Sequence, residues 1–333
     1  MNELQDVTQL IADVDKKFGK GTLTFSPSSF PLDFIPTGSL ALDLAIGGGE
    51  RLMGIPHGRM TEIWGEKSTG KSTLCYHIIA NAQAQGKTTA LFDYEHSYDP
   101  VYAEAIGVDT QKLLLGQYQQ LEQGWQIIEA MMRSLKNTVI VIDSIAQMSP
   151  RAELEGEMGD HHPGLQPRLL AQAMRRNKGW VRMNNSALVI VNQIRHKMGV
   201  KNPKYERTET QPGGEGLKHA IDLQINLYLS KKAEDDLSRK IRSYIEFSKI
   251  AKPYGKASYN IVFGQGVEVY DDLREVGEAC GAIEKKGAYY YLNGELIAHG
   301  QSKFVKWLKE DQEHFNLIRE NIINTLSGGE KDA

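Results

Sequence analysis

Residues 65–72, with the sequence GEKSTGKS, match the pattern G-x-x-x-x-G-K-[ST] of a phosphate-binding loop. The backbone N–H groups of such a loop converge on an anion, and the helix that follows adds its positive N-terminal end. Lys71 can reach the β- and γ-phosphates of a nucleotide, and the Ser72 hydroxyl can hold Mg²⁺. We therefore expect a nucleotide site formed by Gly65, Glu66, Lys67, Ser68, Thr69, Gly70, Lys71, Ser72 and Thr73.

Three further polar side chains stand at or just beyond the ends of apolar segments. Asp143 ends such a segment and can hold Mg²⁺, although a carboxylate there can also cap the next helix. Glu95 can orient and deprotonate the water that attacks the γ-phosphate, or it is simply a solvated residue. Gln193 can both donate to and accept from a γ-phosphate, or it is a satisfied amide at a strand end.

The apolar segments themselves predict buried strands at residues 60–64, 88–93, 138–143 and 187–193. Helical patterns cover residues 74–84, 123–135 and 168–183 between them. Continuous apolar strands that alternate with helices indicate an α/β fold with a parallel sheet covered on both faces. Ligands of such sheets bind at the carboxyl ends of the strands, where Asp93, Glu95, Asp143 and Gln193 fall.

Two long polar segments, residues 153–164 and 195–214, interrupt the alternation. Structureless segments of this length within a domain are usually functional. The second contains several cations and the pair Gly213–Gly214, which lets main-chain amides approach phosphates. Arg168 and Arg175 lie seven residues apart and share a helix face, which indicates either a phosphate contact or a solvated basic face. The adjacent His161 and His162 are more typical of a solvated loop than of a metal site.

The 333 residues are 41% hydrophobic and 24% charged, which is ordinary for a soluble globular protein. The two cysteines, Cys75 and Cys280, are too few and too far apart for a disulfide framework and fit a reducing compartment. The net charge of −3 does not favour indiscriminate binding of nucleic acid, but it allows a local basic groove. With neither a membrane-length apolar run nor a secretory signal, we expect a cytoplasmic protein without membrane contacts.

Several longer segments accompany the phosphate loop in a fixed order, and with them the chain resembles the RecA family of homologous-recombination ATPases over residues 20–326. The segments are TGSLALD at 37–43, DYEHSYDP at 93–100 with Tyr102, VIDS at 141–144, AELEGEMGD at 152–160, QAMR at 172–175, NQIR at 192–195, GGEGLK at 213–218 and KIA at 249–251.

The resemblance implies a RecA-type P-loop ATPase core with a mostly parallel central sheet at residues 35–268. It also implies an N-terminal helix–strand arm at residues 1–34, with its strand at 23–25, which docks on a neighbouring subunit. The pattern of the residues alone leaves a frayed terminus equally open for the arm. A small C-terminal α+β domain is expected at residues 269–326 and a disordered tail at 327–333. The active unit is then expected to be a helical filament, which is a head-to-tail assembly that does not close.

The resemblance also implies roles for the site residues with ATP and Mg²⁺. Glu95 matches the residue that activates water, with Lys71 and Gln193 beside it, and Ser72 and Asp143 match the metal ligands. Asp99 and Tyr102 match contacts of the adenine. Lys218 and Lys249 match cations that reach ATP on the neighbouring subunit.

On the DNA side, the resemblance implies that single-stranded DNA and homologous double-stranded DNA are partners, with a loader or single-strand-binding protein as a further one. Met198 matches an apolar residue that wedges between bases, which costs a few kcal/mol of unstacking per step. The expected DNA-binding residues are Arg168, Arg175, Arg195, Met198, Gly199, Gly213 and Gly214.

The chain departs from the family pattern at three positions. Phe247 stands where the bacterial proteins carry a second cation that faces the neighbour's ATP, Pro163 replaces an apolar wedge residue, and His219 replaces an aromatic residue at the subunit boundary. We interpret the chain as a divergent, phage-type recombinase of a bacterial or phage-infected cell. Two alternatives remain open, which are a DNA-binding filament protein with weak ATPase activity and a ring-forming helicase of the same fold.

Overall fold

The computed structural model describes residues 2–19, 23, 33–157, 159–160, 162–196, 209–210, 212–230 and 237–328. The chain divides into two compact units, residues 1–32 and 33–333. The first unit contains helix α1 (Asn2–Phe18), on which Ile11 and Val14 are half-buried and Leu10 is exposed. Thr24 and Phe25 of the predicted strand lie outside the described residues, so the docking role of this arm stays a prediction.

The second unit contains the sheet, the helices that cover it and the C-terminal elements. Its helices are α2 (Leu40–Ile46), α3 (Lys71–Ala84), α4 (Pro100–Ile106), α5 (Leu121–Ser134), α6 (Arg151–Glu155), α7 (Leu165–Met183), α8 (Gly214–Ala220), α9 (Val269–Cys280), α10 (Gln301–Glu310) and α11 (Gln312–Gly328). A short 3₁₀ helix covers Ile145–Gln147.

The strands of the second unit follow the predicted alternation in its first part. They are β1 (Phe34–Ile35), β2 (Ile55–Pro56), β3 (Met60–Gly65), β4 (Thr89–Asp93), β5 (Leu113–Gly116), β6 (Val139–Asp143), β7 (Ala187–Gln193), β8 (Arg195–His196), β9 (Glu209–Thr210), β10 (Leu223–Leu229), β11 (Ser238–Ser248), β12 (Lys256–Val262), β13 (Gly266–Val267), β14 (Glu284–Lys286), β15 (Tyr289–Leu292) and β16 (Glu295–His299).

Nine strands form the central sheet in the order β13–β12–β11–β10–β3–β7–β6–β4–β5. The six strands from β10 to β5 are parallel to one another, and β11, β12 and β13 extend this sheet with antiparallel pairs. Of the parallel strands, β4, β6 and β7 are almost wholly apolar and buried, because helices cover both faces of this part of the sheet. The predicted α/β class with a mostly parallel central sheet is therefore confirmed.

The two faces of the sheet bury different residues of the same strands. On β6, Val139 and Val141 pack in a core with α2, α3 and α4. Ile140 and Ile142 point the other way and pack with α5, α7 and α8. This alternation packs the sheet between two helical layers. Because β3, β4, β6 and β7 are parallel, their carboxyl ends lie at one edge of the sheet.

The C-terminal elements have their own apolar core, in which Tyr290, Phe304, Ile318 and Ile322 are buried. β14, β15 and β16 form a three-stranded antiparallel sheet. The turn at Asn293–Gly294 has positive φ at both residues, 50° and 86°, as a tight hairpin turn requires. β15 and β16 therefore form an antiparallel hairpin around this turn. Among the described residues, none of the helices has the length and apolar character that a bilayer crossing requires.

Candidate functional site

The phosphate loop connects β3 directly to α3. Gly70 precedes the first residue of α3 with a φ of 79° in the left-handed region, and Ser68 has a φ of 63°. A Cβ atom on Gly65 would lie 2.4 Å from the Leu227 carbonyl oxygen, and one on Gly70 would lie 2.3 Å from Ile261. Both positions therefore need glycine, because backbone or packed side chains occupy the space of any other residue.

The Lys71 ammonium group is folded over this loop. Its Nζ donates to the carbonyl oxygens of Gly65 and Glu66 at 3.1 and 2.6 Å. Burial lowers the pKa of Lys71, while the nearby carboxylates of Asp143 and Glu95 act in the opposite direction. A phosphate in the loop would supply the anionic partner that these neutral carbonyl groups replace.

Ser72 and Asp143 contact each other at the start of α3. The Ser72 hydroxyl donates to Asp143 Oδ2 at 2.6 Å, so the Asp143 carboxylate does not cap a helix. Burial raises the pKa of Asp143 to about 6, and the charges of Glu95 and Asp93 add to this. A buried carboxylate beside a hydroxyl oxygen fits Mg²⁺, which uses one or two protein oxygens together with water and substrate phosphates.

Glu95 is held by donors from the two neighbouring strand ends. Its Oε1 accepts from the Ser144 hydroxyl at 2.8 Å and from the Gln193 side-chain amide. Glu95 follows β4, Ser144 follows β6, and Gln193 ends β7. The structure therefore shows neither the solvated Glu95 nor the separately satisfied Gln193 that the sequence left open. Sequence reasoning missed the contact of Ser144, although its place directly after Asp143 was a usable signal.

Most of the residues predicted for the nucleotide site line one cavity of about 560 Å³. Asp99 caps α4 by accepting from the backbone of Val101 and Tyr102, and the Tyr102 hydroxyl lies 2.9 Å from Thr73 Oγ1. The remaining predicted residues on the wall of this cavity are Lys67, Ser68, Gly70, Lys71, Ser72, Glu95, Asp143 and Gln193.

Part of the cavity wall comes from residues that the sequence did not indicate. Arg239, Phe263 and Gly264 line it from the antiparallel end of the sheet. The Arg239 guanidinium lies 5.2 Å from the centre of the Phe263 ring, which is 51% exposed. No local motif marks these residues, because only the strand order brings β11 and β12 beside the phosphate loop.

Two family models cover nearly all of the chain. One, described as the RecA N-terminal domain, matches residues 5–268, and the other, described as the RecA C-terminal domain, matches residues 272–327. The chain belongs to the RecA family. At this level the match supports a RecA-like recombinase or ATPase, with nucleotide use, DNA binding and self-association as general properties of the family.

Lys218 and Lys249, the predicted RecA-family contacts to a neighbour's ATP, line a separate cavity of about 410 Å³ with Gln224 and Phe247. Lys218 Nζ lies 2.7 Å from Glu215, and Lys249 Nζ lies 3.2 Å from Asp222. Neither lysine lines the cavity of its own phosphate loop. The structure thus places both on a different surface from the nucleotide site that this chain itself forms.

Four of the predicted DNA-binding residues of the RecA-family core lie on or beside α7 and α8. Arg168 and Arg175 are exposed on α7, and neither forms an ion pair with another described residue. Gly213 and Gly214 have φ values of 105° and 66° where α8 begins. A Cβ atom on Gly214 would lie 3.3 Å from Pro167, so this glycine pair lies beside the first turn of α7.

The two predicted DNA loops are described only in part. Arg195 lies in β8, which pairs with β9 in a short antiparallel ribbon at the base of the second loop. Met198 and Gly199 lie outside the described residues. The first loop is shorter than the predicted 153–164, because α6 extends to Glu155 and an ion pair of 2.7 Å joins Arg151 to Glu155 one turn away.

Proposed function

We propose that the protein is an ATP-dependent DNA recombinase, which forms helical filaments on single-stranded DNA and catalyses homologous pairing and strand exchange in recombination and repair. The observation that carries the proposal is the placement of Gln193. Its side chain touches Glu95 in the nucleotide cavity, and its main chain leads through β8 into the second loop. A group that contacts both sites is suited to couple the nucleotide to DNA.

The nucleotide chemistry follows from the residues around the phosphate loop. Lys71 and the loop amides bind the phosphates, and Ser72 and Asp143 would hold Mg²⁺, which neutralises phosphate charge when bound. Glu95 accepts the proton of the attacking water. Gln193 and Ser144 hold the Glu95 carboxylate in position, so that its charge faces the cavity.

The DNA side rests on exposed cations and on main-chain amides. Arg168 and Arg175 grip phosphates from one face of α7, and Gly213 and Gly214 bring backbone N–H groups to the same region. Contacts of this kind carry no sequence information and weaken as salt rises. The protein therefore binds any sequence, and base pairing between the strands supplies the test of homology.

The separation of the two surfaces supports the formation of a filament. Lys218 and Lys249 complete the nucleotide site of the next subunit, and the N-terminal arm docks on a neighbour. A contact between two different surfaces propagates from subunit to subunit and does not close into a dimer. ATP bound between subunits then favours the assembled filament, and its hydrolysis releases the DNA.

A filament protein with weak ATPase activity is the second candidate, and two contacts favour it. Phe247 stands where the family pattern has a second cation, and the Lys249 ammonium lies 5.4 Å from the centre of the Phe247 ring. Asp222 also holds Lys249 in place. If assembly does not release this lysine, the protein coats DNA but hydrolyses ATP slowly.

Steady-state ATP hydrolysis with and without single-stranded DNA, across a salt series, tests the proposal. The recombinase requires strong stimulation by DNA that fades with salt. ATP-dependent DNA binding without stimulated hydrolysis would instead support the weak ATPase. Lys71→Ala is the control, because it removes the phosphate contact and should abolish ATP-dependent filaments in electron micrographs. Normal strand exchange by Lys71→Ala would refute the nucleotide site, and closed rings in the micrographs would support a helicase.

A further inference from the structure

A carboxylate is buried in the middle of the central sheet, away from the nucleotide cavity. Glu62 lies on β3, which runs between β7 and β10 and leads into the phosphate loop. Its side chain has no exposed surface. Glu62 pairs with Gln224 of β10 in the parallel register, so both side chains lie on the same face of the sheet.

One oxygen of Glu62 is connected to the end of β7 and to the second loop. Asn192 is fully buried, and its Nδ2 donates to Glu62 Oε1 at 2.8 Å and to the Pro212 carbonyl oxygen at 2.9 Å. The Asn192 side-chain oxygen accepts from the backbone N–H of Gln193 at 2.9 Å. These hydrogen bonds connect Gln193 to Asn192, to Glu62 and to Pro212. A displacement of Gln193 by a nucleotide can therefore be transmitted to all three residues.

The other oxygen of Glu62 is connected to the cavity of Lys218 and Lys249. Gln224 Nε2 donates to Glu62 Oε2 at 2.7 Å. Gln224 also lines that cavity, together with Phe247. The carboxylate of Glu62 thus lies between the nucleotide-facing end of β7 and the surface on which we place the next subunit.

The charge of Glu62 determines whether both connections exist together. An ionised carboxylate accepts two amide hydrogens at once, whereas a protonated one must use an oxygen as donor. Burial raises the pKa of Glu62 to about 7, against the effect of the two amides, and the charge of Glu246 on β11 adds to the rise. Lys218 on α8 acts in the opposite direction, but its ammonium group is hydrogen-bonded to Glu215.

We propose that Glu62 is a positioning residue, which couples the Gln193 end of β7 and the base of the second loop to the cavity of Lys218 and Lys249. The inference rests on the proposed function for the meaning of these two surfaces. Both amides hold their present places while Glu62 is ionised. Protonation of Glu62 turns one oxygen into a donor and weakens its contact with the amide, so a nucleotide signal at Gln193 reaches the two surfaces less strongly.

Hydrogen–deuterium exchange of residues 212–220 tests this coupling without DNA. The full-length protein is compared with and without Mg²⁺ and a non-hydrolysable ATP analogue at pH 6, 7 and 8. We expect the analogue to slow exchange several-fold at pH 8 and clearly less at pH 6, because Glu62 is ionised only at the higher pH. In Glu62→Gln the slowing of exchange by the analogue should be at least threefold smaller and independent of pH. The affinity of this variant for a fluorescent ATP analogue should stay within twofold of the wild type.

Two further variants make the result specific. Glu246→Gln removes a repelling charge, so the response should persist to lower pH. Gln224→Leu cuts one connection and should weaken the response even if Glu62→Gln does not fold, which its melting temperature will show. A wild-type response in Glu62→Gln at pH 8, an unchanged response in Gln224→Leu, or no response in the wild type would each overturn the inference. If the wild type does not bind DNA in an ATP-dependent manner, the proposed function is refuted. The exchange comparison still decides the role of Glu62 in that case.

Discussion

At the residue scale, the chemistry depends on how Glu95 is oriented. A carboxylate has two oxygens that accept, and both hydrogen bonds described for Glu95 go to Oε1. Oε2 can therefore accept from the water molecule that we propose Glu95 activates. Ser144 and Gln193 come from different strands, so they fix the carboxylate more firmly than neighbours on one flexible segment would.

Glu95→Gln should preserve ATP binding and slow hydrolysis by about 100-fold or more, because an amide cannot take the proton of water. The measurement is single-turnover ATP hydrolysis, with fluorescent-nucleotide affinity alongside. Ser144→Ala keeps the Glu95 carboxylate and removes one hydrogen bond of about 1 kcal/mol. The rate of hydrolysis should therefore fall only about fivefold. Unchanged turnover in Glu95→Gln would remove Glu95 from the reaction.

At the element scale, α3 must be fixed for the phosphate loop to keep its shape, and His77 contributes to this. His77 Nε2 accepts from the backbone N–H of Val267 on β13 at 2.8 Å. Its ring fills the space where Cβ atoms on Gly38 and Gly266 would lie, at 2.6 and 2.4 Å. Burial lowers the pKa of His77 to about 4, so the ring is neutral and able to accept at pH 7.

His77→Leu leaves the Val267 N–H buried without an acceptor, which should destabilise the protein by about 1–3 kcal/mol. Denaturant unfolding at pH 7 measures this. In the wild type, His77 itself should lower stability as pH falls from about 6.5 towards 4, because the unfolded chain binds the proton first. This contribution to the pH dependence should vanish in His77→Leu. His162→Leu makes the same change at an exposed position and should have little effect.

The second element with a proposed function is α7, whose exposed basic face we propose to bind DNA. Arg168→Ala should weaken binding of single-stranded DNA similarly for all sequences and reduce the slope of log affinity against log salt by about 0.7. Arg176→Ala is a matched control on the same helix, because Arg176 lies 2.9 Å from Glu129 in an ion pair. Fluorescence anisotropy with two unrelated oligonucleotides measures both. A sequence-selective loss in Arg168→Ala would contradict the backbone contact.

At the scale of the whole molecule, buried carboxylates join the core to the C-terminal elements. Asp272 of α9 accepts from the backbone N–H groups of Leu40 and Ala41 at the start of α2, and from the Ser39 hydroxyl. Burial raises the pKa of Asp272 to about 7, and burial raises that of Asp43 to about 7 as well. The native state therefore holds protons that the unfolded chain releases near pH 4.

The contribution of these two carboxyl groups to stability should consequently fall as pH rises from 5 to 8, because they must ionise while buried. Asp272→Asn keeps the hydrogen bonds of the neutral acid, so it should reduce this fall by about 2 kcal/mol. Thermal unfolding across the pH range tests it. Asp109→Asn is the control, because the Lys112 side chain lowers the pKa of this exposed group and its effect has the opposite sign. An equally steep fall in Asp272→Asn would show that Asp272 is ionised in the native state.

By itself, the sequence determined what depends on neighbouring residues. The phosphate loop, its glycines and the turn at Asn293–Gly294 are encoded within a few positions, because backbone conformation there requires particular residue types. The apolar strands and the polar residues at their ends were also predictable, since a parallel sheet places all carboxyl ends at one edge. That is why Asp143, Glu95 and Gln193 could be expected to lie together before any contact was seen.

Only the tertiary structure decided which distant residues meet. Glu62 touches Asn192 and Gln224 across separations of 130 and 162 residues. Arg239 and Phe263 line the nucleotide cavity although they are distant from the phosphate loop in sequence. Asp222 likewise forms an ion pair with Lys249, which is 27 residues away. No local pattern specifies the order of strands in a sheet, because that order results from how the helices and strands pack as a whole. The phosphate loop is therefore encoded locally, whereas the contacts on which the proposed coupling rests arise from the fold.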